Sequence, residues 1–279
     1  MTKTKSISIV SGKGGVGKSN LTLNLGYTLS RMEHNTLIVD CDMGLANMDV
    51  LLGIAPEKHM QDILISGDKP EDIVMPIVHE GAAKLDLIPA NSGLASFAEL
   101  DSASISIVCS ALNPFAEEYD YLLLDIGAGI SPTALSFAAA TSMRILVVTP
   151  EPTSMTNGYA FMKVLTAKYD VSSFYILVNQ VETLTEAQHT FNRLCTVCER
   201  FLRLKPTFLG AVHNDPKVLE AVRMQRPFME LFPQSQASKD CQSLAKGLLR
   251  LENPATEEDL ENGPLVPRSL RSGDETAQK

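Results

Sequence analysis

Residues 12–19 read GKGGVGKS and fit the phosphate-binding pattern G-x-x-x-x-G-K-[S/T], with Gly12, Gly17, Lys18 and Ser19 at the four fixed positions. Glycine lets successive backbone N–H groups turn to one side and approach phosphate oxygens closely. Lys18 supplies a mobile positive charge for the β- and γ-phosphates, and the Ser19 hydroxyl is a hard oxygen ligand for Mg²⁺. The stretch therefore predicts a loop that binds phosphate groups together with magnesium.

The sequence on either side of this loop has the form that such a loop requires. Residues 6–10, SISIV, alternate polar and apolar side chains as a β-strand does. After the loop, apolar residues recur at helical spacing, at Leu21, Leu25, Leu29 and Met32. A strand, a glycine loop and a helix in this order aim the positive end of the helix dipole at the anion. The alternative is a glycine-rich turn with an incidental lysine.

Two more apolar stretches end in a carboxylate. Residues 36–40 and 121–125 read TLIVD and YLLLD, as expected of buried parallel strands. Because ligands of open α/β sheets bind at the carboxyl edge of the strands, Asp125 is predicted to hold Mg²⁺ through water. Asp42, in the loop after the first of these strands, is a candidate for orienting the attacking water. The alternative is that Asp40 and Asp42 only cap the next helix.

Four further strand-like stretches lie at residues 84–89, 144–149, 174–178 and 207–212. With the helical stretches between them they predict a doubly wound α/β fold, a mostly parallel sheet with helices on both faces. A single nucleotide-binding domain is expected over residues 1–251. Residues 53–80 are predicted to form short helices and connections. Residues 126–130, IGAGI, are predicted to be a switch segment that moves against the γ-phosphate.

Two polar residues follow late strands. The side-chain amide of Asn179 could bind the edge of an adenine base, and a turn at the end of the strand explains it nearly as well. Asp215 precedes Pro216, which is the pattern of a helix N-cap followed by proline at the first helical position, and capping explains Asp215 without a contact to a base.

Residues 252–279 contain few apolar side chains and are predicted to be a disordered acidic tail. Within them residues 265–269, LVPRS, resemble a protease-site linker, with native sequence as the alternative.

The composition is typical of a globular protein with a sizeable core, with 44% hydrophobic and 20% charged residues among 279. The net charge of −9 argues against a broad nucleic-acid-binding face, so no direct nucleic-acid partner is expected. Five cysteines, an odd number, indicate free thiols in a reducing cytoplasm, and a cytoplasmic location is expected. No stretch approaches 18 continuous apolar residues, and we expect no signal peptide before the first strand.

Other chemistry has weaker support. Cys195 and Cys198 form a C-x-x-C pair in a helical-looking stretch without proline or glycine, so core packing is favoured and metal or cluster binding is the alternative. The five histidines are scattered without ligand spacing, and nothing supports nucleophilic catalysis. The predicted helix at 238–251 has few basic residues, so packing on the core is favoured over lying on a membrane surface.

Lys13 stands directly before Gly14 and Gly15, which gives the loop the form K-G-G-x-G-K. In this form it resembles the deviant Walker A loop of the MinD/ParA/nitrogenase-iron-protein group of dimeric ATPases. Over residues 6–250 the chain resembles one branch of that group, the FlhG/FleN-type flagellar number regulators. The matching motifs are GKGGVGKSN at 12–20, DCDMGLANMDVLLG at 40–53, DIGAGIS at 125–131, EPTS at 151–154, LVN at 177–179 and AVRMQRPFMELFPQSQAS at 221–238.

The resemblance implies a homodimer that forms with Mg-ATP and hydrolyses ATP slowly. It implies catalytic roles for Lys13 across the dimer interface, for Lys18 on the phosphates and for Asp42 on the attacking water. The implied metal-binding residues are Ser19 and Asp125, the latter through the water shell. The implied nucleotide-binding residues are Gly12, Gly14, Gly15, Val16, Gly17, Lys18, Ser19, Asn20 and Asn179, with Asn179 on adenine.

The implied partners of the ATP-bound state are the signal-recognition-type GTPase that places flagella and, in some lineages, the flagellar transcription activator. Many relatives carry an N-terminal D-Q-A-x-x-L-R segment that stimulates this GTPase, and the five residues before the first predicted strand do not contain it. Weak or absent membrane association is expected, with a polar or peripheral position at the inner membrane face left open. The alternatives are a positioning ATPase for another polar cargo and an iron–sulfur cluster carrier.

Overall fold

A computed structural model of the chain describes residues 4–43, 47–78, 83–91, 100–254, 261–268 and 270. The strands among these residues are β1 (Lys5–Val10), β2 (Thr36–Cys41), β3 (Met75–Val78), β4 (Leu85–Ile88), β5 (Tyr121–Ile126), β6 (Met143–Val148), β7 (Tyr175–Val181) and β8 (Thr207–His213). The helices are α1 (Lys18–Arg31), α2 (Met48–Leu52), α3 (Asp62–Ile65), α4 (Pro70–Ile73), α5 (Ser102–Ala116), α6 (Pro132–Ala140), α7 (Pro152–Tyr169), α8 (Leu184–Leu202), α9 (Pro216–Arg223), α10 (Phe228–Leu231) and α11 (Gln236–Arg250).

The strands form one sheet in the order β3-β4-β2-β5-β1-β6-β7-β8. All pairings are parallel except that of β3 with β4 at one edge. The chain order reverses at β1, because β2 lies on one side of it, beyond β5, and β6 lies on the other. In such sheets the ligand crevice opens at this point, outside the carboxyl ends of the strands. The predicted doubly wound, mostly parallel sheet is confirmed.

Both faces of the sheet are covered by helices, so strands β2 and β5 are buried along their whole length and are mostly apolar. Leu122 and Leu124 of β5 belong to the hydrophobic cluster that contains buried apolar residues of α5, α6, α7 and α8. Tyr121 and Leu123, which alternate with them, belong to the cluster that contains those of α1 and α11. The alternation along one strand thus builds two core layers, and the loops at the strand ends remain accessible to a ligand.

Residues 53–80 were predicted to form short helices and connections only. The structure shows that they also contain the strand β3. The strand has four residues, pairs with β4 in a register that shifts between Pro76 and Val78, and lies at the edge of the sheet. Proline cannot donate a hydrogen bond to a sheet and is confined to such edges. A strand this short and irregular carries no alternating pattern that a sequence could display.

Part of the predicted tail is packed on the domain. Leu265 is fully buried in the cluster that includes residues of α5 and α6. Its backbone N–H donates to Oδ1 of Asn113 at 2.8 Å, and Nδ2 of Asn113 donates to its carbonyl oxygen at 2.9 Å. The backbone N–H of Val266 donates to the carbonyl oxygen of Ala140 at 2.9 Å. Residues 262–266 therefore dock on the domain, and disorder does not describe them. Residues 255–260, 269 and 271–279 of the predicted tail lie outside the described residues.

α11 covers the 238–251 stretch and begins two residues earlier, at Gln236, after its N-cap Ser235. Its apolar side chains, including Leu244 and Leu248, are buried in the cluster shared with α1. The core-packing interpretation of this helix is therefore the observed arrangement. Among the described helices, none has the length and apolar character needed to cross a membrane.

Candidate nucleotide-binding site

The glycines of the phosphate loop are required by close contacts with two other elements. A Cβ atom on Gly12 would lie 2.1 Å from the carbonyl oxygen of Asn157 in α7. A Cβ atom on Gly17 would lie 2.5 Å from Nδ2 of Asn179, and Gly17 also has a φ of 89°. Real Cβ atoms do not approach other atoms so closely, and positive φ strains other residues. These contacts explain two of the fixed positions of the motif.

The start of α1 is open toward the loop. Gly17 is its N-cap residue and has no side chain with which to accept a hydrogen bond from the first turn, so those backbone N–H groups are available to an anion. Lys18 is 8% exposed, Ser19 and Asn20 are half-buried, and Val16 is buried. Gly14 and Gly15 are exposed at the outer rim. The fold thus gathers all the predicted phosphate-binding residues at one helix N-terminus.

Two buried aspartates lie next to each other below this loop. Asp40 and Asp125 are paired in register between β2 and β5, and each is 1% exposed. Burial raises the pKa of Asp125 to about 6, while the Lys18 ammonium and the Ser19 hydroxyl lower it. Burial and then the charge of Asp125 raise the pKa of Asp40 well above its usual range. Carboxylate and hydroxyl oxygens with excess negative charge fit a divalent cation such as Mg²⁺.

Asp40 also organises the loop that follows β2. Its Oδ1 accepts a hydrogen bond from the backbone N–H of Asp42 at 2.9 Å, and its Oδ2 accepts one from that of Met48, the first residue of α2, at 3.4 Å. The capping alternative therefore describes Asp40. Asp42 lies against the glycine segment after β5, since a Cβ atom on Gly127 would lie 3.1 Å from its Oδ1. Residues 44–46 of the family motif lie outside the described residues.

The glycine segment is tied directly to the phosphate loop. The backbone N–H of Gly129 donates to the carbonyl oxygen of Ser11 at 3.0 Å. Two residues later Ser131 caps α6, its hydroxyl accepting the backbone N–H of Ala134 at 3.2 Å. A change in the phosphate loop can therefore reach α6 through a short run of chain.

Lys13 lies at the rim of the loop and is ion-paired with Glu151, the N-cap residue of α7. The hydrogen bond from Lys13 lowers the pKa of the Glu151 carboxyl below its usual range. Both side chains are partly exposed, at 37% and 56%. Lys13 is thus held by a partner within the same chain, at the surface, in this structure.

Asn179 connects the end of β7 to the phosphate loop. Its Nδ2 donates to the carbonyl oxygen of Val16 at 2.8 Å, and the residue is 7% exposed. This hydrogen bond holds the loop, and the contact of Asn179 with adenine stays a prediction. Asn179 also lines a cavity of about 260 Å³ beside the loop, together with Gly17, Asn20 and His213.

Asp215 is occupied by backbone groups. Its Oδ1 accepts from the N–H of Lys217 at 2.9 Å at the start of α9, and its Oδ2 accepts from the N–H of Ala237 in α11 at 3.1 Å. The capping interpretation of Asp215 thus describes its observed contacts.

The C-x-x-C pair lies within α8, a continuous helix. Cys198 is fully buried in the core, whereas Cys195 is half-buried with its Sγ 3.7 Å from Oε1 of Glu199. The described residues contain no group of three or more His, Cys, Asp or Glu side chains arranged to hold a metal.

Among the described residues, Thr22 and Glu151 contact predicted site residues and His213 lines the cavity, but none of the three was predicted as a site residue. Thr22 is fully buried in α1, and its hydroxyl lies 3.3 Å from Oδ1 of Asp125, to which it donates. Its signal in the sequence is weak, because a threonine one turn into a helix has many other uses. Glu151 pairs with Lys13 and His213 with Asp240, both distant in sequence, so no local sequence pattern predicts these contacts.

Comparisons with known proteins agree with this geometry. Residues 4–249 match the family described as cellulose biosynthesis protein BcsQ. The antiactivator FleN of Pseudomonas aeruginosa is 33% identical over 240 residues, covering 86% of this chain and 84% of FleN. The flagellum site-determining protein YlxH of Helicobacter pylori is 33% identical over 263 residues, covering 91% of this chain and 85% of YlxH.

The fold has solved counterparts. The septum site-determining protein MinD of Pyrococcus horikoshii, complexed with Mg-ADP, superposes with a TM-score of 0.70 at 24% identity, covering 88% of this chain and 96% of that chain. The fold and the site together define a P-loop ATPase of the MinD/ParA class. The chain belongs to the BcsQ family, and its resemblance to the FlhG/FleN branch is confirmed by the similarity to FleN and YlxH.

Proposed function

We propose that this chain is an ATP-driven switch that closes a homodimer around Mg-ATP, hydrolyses it slowly, and regulates the number or placement of flagella through protein partners. The relatives support the biological setting, because FleN is named as an antiactivator and YlxH as a flagellum site-determining protein. The complex of Pyrococcus horikoshii MinD with Mg-ADP supports the choice of nucleotide and metal.

In this proposal each site residue has one role, in binding phosphate, holding Mg²⁺ or orienting water. The backbone of the loop and Lys18 bind the β- and γ-phosphates, and Ser19 and Asp125 hold Mg²⁺, Asp125 through water. Bound Mg²⁺ would neutralise charge that develops on the transferred phosphoryl group. Asp42 orients the attacking water, and Lys13 reaches the nucleotide of the second subunit.

The main observation in support of a nucleotide-dependent switch is the hydrogen bond from the backbone N–H of Gly129 to the carbonyl oxygen of Ser11. It joins the phosphate loop to the glycine segment, and Asp42 lies against the same segment at Gly127. A γ-phosphate bound to the loop would change what this segment contacts, and hydrolysis would reverse the change. The ATP state would thereby order a surface for a partner, namely the flagellar placement GTPase or the flagellar transcription activator.

Light-scattering mass with Mg²⁺ and ATP, ADP or no nucleotide tests the proposal. We expect a dimer only with ATP, and we expect Asp42→Ala to accumulate it because turnover is slowed. That trapped dimer then serves as bait for the two flagellar partners. A monomer in every state would overturn the switch, and retention of the dimer on DNA or lipid vesicles in place of these partners would favour a positioning ATPase for another cargo.

A further inference from the structure

His213, the last residue of β8, is held by a single carboxylate of α11. Its backbone N–H donates to Oδ2 of Asp240 at 2.9 Å, and its ring Nδ1 lies 2.8 Å from the same oxygen. Oδ1 of Asp240 in turn accepts a hydrogen bond from Nε2 of Gln236 at 2.9 Å. Because a carboxylate oxygen only accepts, Nδ1 carries the ring hydrogen and donates it to Asp240. Both the orientation and the tautomer of the ring are thereby fixed.

The fixed tautomer determines what the other ring nitrogen of His213, Nε2, can do. When Nδ1 of a neutral imidazole carries the hydrogen, Nε2 is a hydrogen-bond acceptor. His213 lines the cavity of about 260 Å³ beside the phosphate loop, and its side chain is 19% exposed. An acceptor in a base-sized cavity discriminates between purines, because adenine carries an exocyclic amino donor where guanine carries a carbonyl acceptor.

Three of the other polar side chains around this cavity form hydrogen bonds within the protein, and Asn20 and Gln180 also line it. Nδ2 of Asn179 is used on the Val16 carbonyl, and the Asp215 carboxylate accepts two backbone N–H groups. Nδ2 of Asn214 donates to Oε1 of Glu182 at 3.1 Å. Leucine and valine side chains of α1 and α9 supply apolar walls suited to a flat ring.

We propose that His213 is a specificity-determining residue of the ATP site, accepting a hydrogen bond from the exocyclic amino group of adenine, with Asp240 as the residue that positions it. This inference rests on the proposed ATP-binding function and adds the group that selects the base. Fixing the tautomer matters because the other tautomer would present an N–H that favours guanine.

Dissociation constants for ATP, GTP and inorganic tripolyphosphate test this directly. We expect His213→Ala to weaken ATP binding about tenfold, as for loss of one hydrogen bond, while GTP and tripolyphosphate are unchanged. Asp240→Ala should lower the ATP-to-GTP preference similarly, and Asp240→Asn should restore it, since an amide oxygen can still accept from the ring. His189→Ala, an exposed histidine on α8, is the matched control.

If His213→Ala lowers the melting temperature strongly, His213→Phe replaces it, because phenylalanine keeps a ring and removes the acceptor. The dissociation constants for the same three ligands are then compared. Wild-type ATP binding with an unchanged ATP-to-GTP ratio in both His213 variants would overturn the assignment of His213 alone. Tripolyphosphate binding without ATP binding in the wild type would overturn the proposed function, and this inference with it.

Discussion

Lys13 and Glu151 form an ion pair that joins the phosphate loop to the N-cap of α7 across 138 positions of sequence. In the proposed dimer Lys13 must reach the nucleotide of the second subunit, so closing the dimer breaks this pair. In this proposal the pair opposes dimerisation until ATP is bound. Because both side chains are partly exposed, its effect is expected to be modest.

We expect Glu151→Gln to lower the ATP concentration that half-saturates dimerisation by roughly two- to fivefold. Light-scattering mass across an ATP titration measures it. Glu118→Gln is the matched control, because Glu118 is also exposed and lies 4.0 Å from a lysine, Lys84, away from the nucleotide site. A higher ATP requirement in Glu151→Gln would mean that Glu151 assists the closed state.

Asp125 should destabilise the chain at neutral pH when Mg²⁺ and nucleotide are absent. Its pKa is raised to about 6 by burial, so between pH 4 and 6 the folded chain binds more protons there than the unfolded chain. The free energy of unfolding contributed by this group therefore falls as the pH rises through that range, and it stays low above pH 6.

Asp125→Asn removes this titration. In EDTA at pH 7.5 we expect it to be more stable than the wild type by roughly 1–3 kcal/mol, since two pKa units correspond to at most about 3 kcal/mol. Urea unfolding at pH 7.5 and pH 4 measures the difference, which should shrink at the lower pH. Glu117→Gln, at an exposed carboxylate after α5, should show no such gain. A less stable Asp125→Asn at pH 7.5 would contradict the role of burial.

Leu265 anchors the docked C-terminal segment. Its side chain is fully buried, and Asn113 binds its backbone from both sides. We expect Leu265→Asp to release residues 262–266, to abolish amide-exchange protection at Val266, and to cost about 1–3 kcal/mol, less than a central core substitution because the segment can detach locally. Leu270→Asp, at a leucine 61% exposed, is the control. Unchanged protection at Val266 would show that the segment is held by other contacts.

The sequence predicted those parts of the site that depend on short spacing. The phosphate loop is a local pattern, and Asp40 and Asp125 close apolar strands whose parallel pairing brings their ends together. The partners of Lys13 and His213 could not be predicted, because α7 and α11 contribute them only after the sheet has formed. The docking of Leu265 could not be predicted for a similar reason. A Leu-Val pair in a polar stretch becomes buried only because distant elements, including α5 and α6, form the surface on which it packs.

Asn179 offers the clearest separation of two roles. The sequence predicts a contact with adenine, whereas its Nδ2 donates to the Val16 carbonyl and holds the phosphate loop.

If the loop contact dominates, Asn179→Ala should weaken tripolyphosphate binding as much as ATP binding, by roughly five- to tenfold for one lost hydrogen bond. Asn179→Asp should be worse for both ligands, because its carboxylate would face the carbonyl oxygen and the phosphates. Calorimetric titration of each variant with both ligands makes the comparison, with Gln188→Ala, at an exposed amide on α8 away from the cavity, as the control. Normal tripolyphosphate binding with weakened ATP binding would instead assign Asn179 to the base, since only a contact with adenine could separate the two ligands.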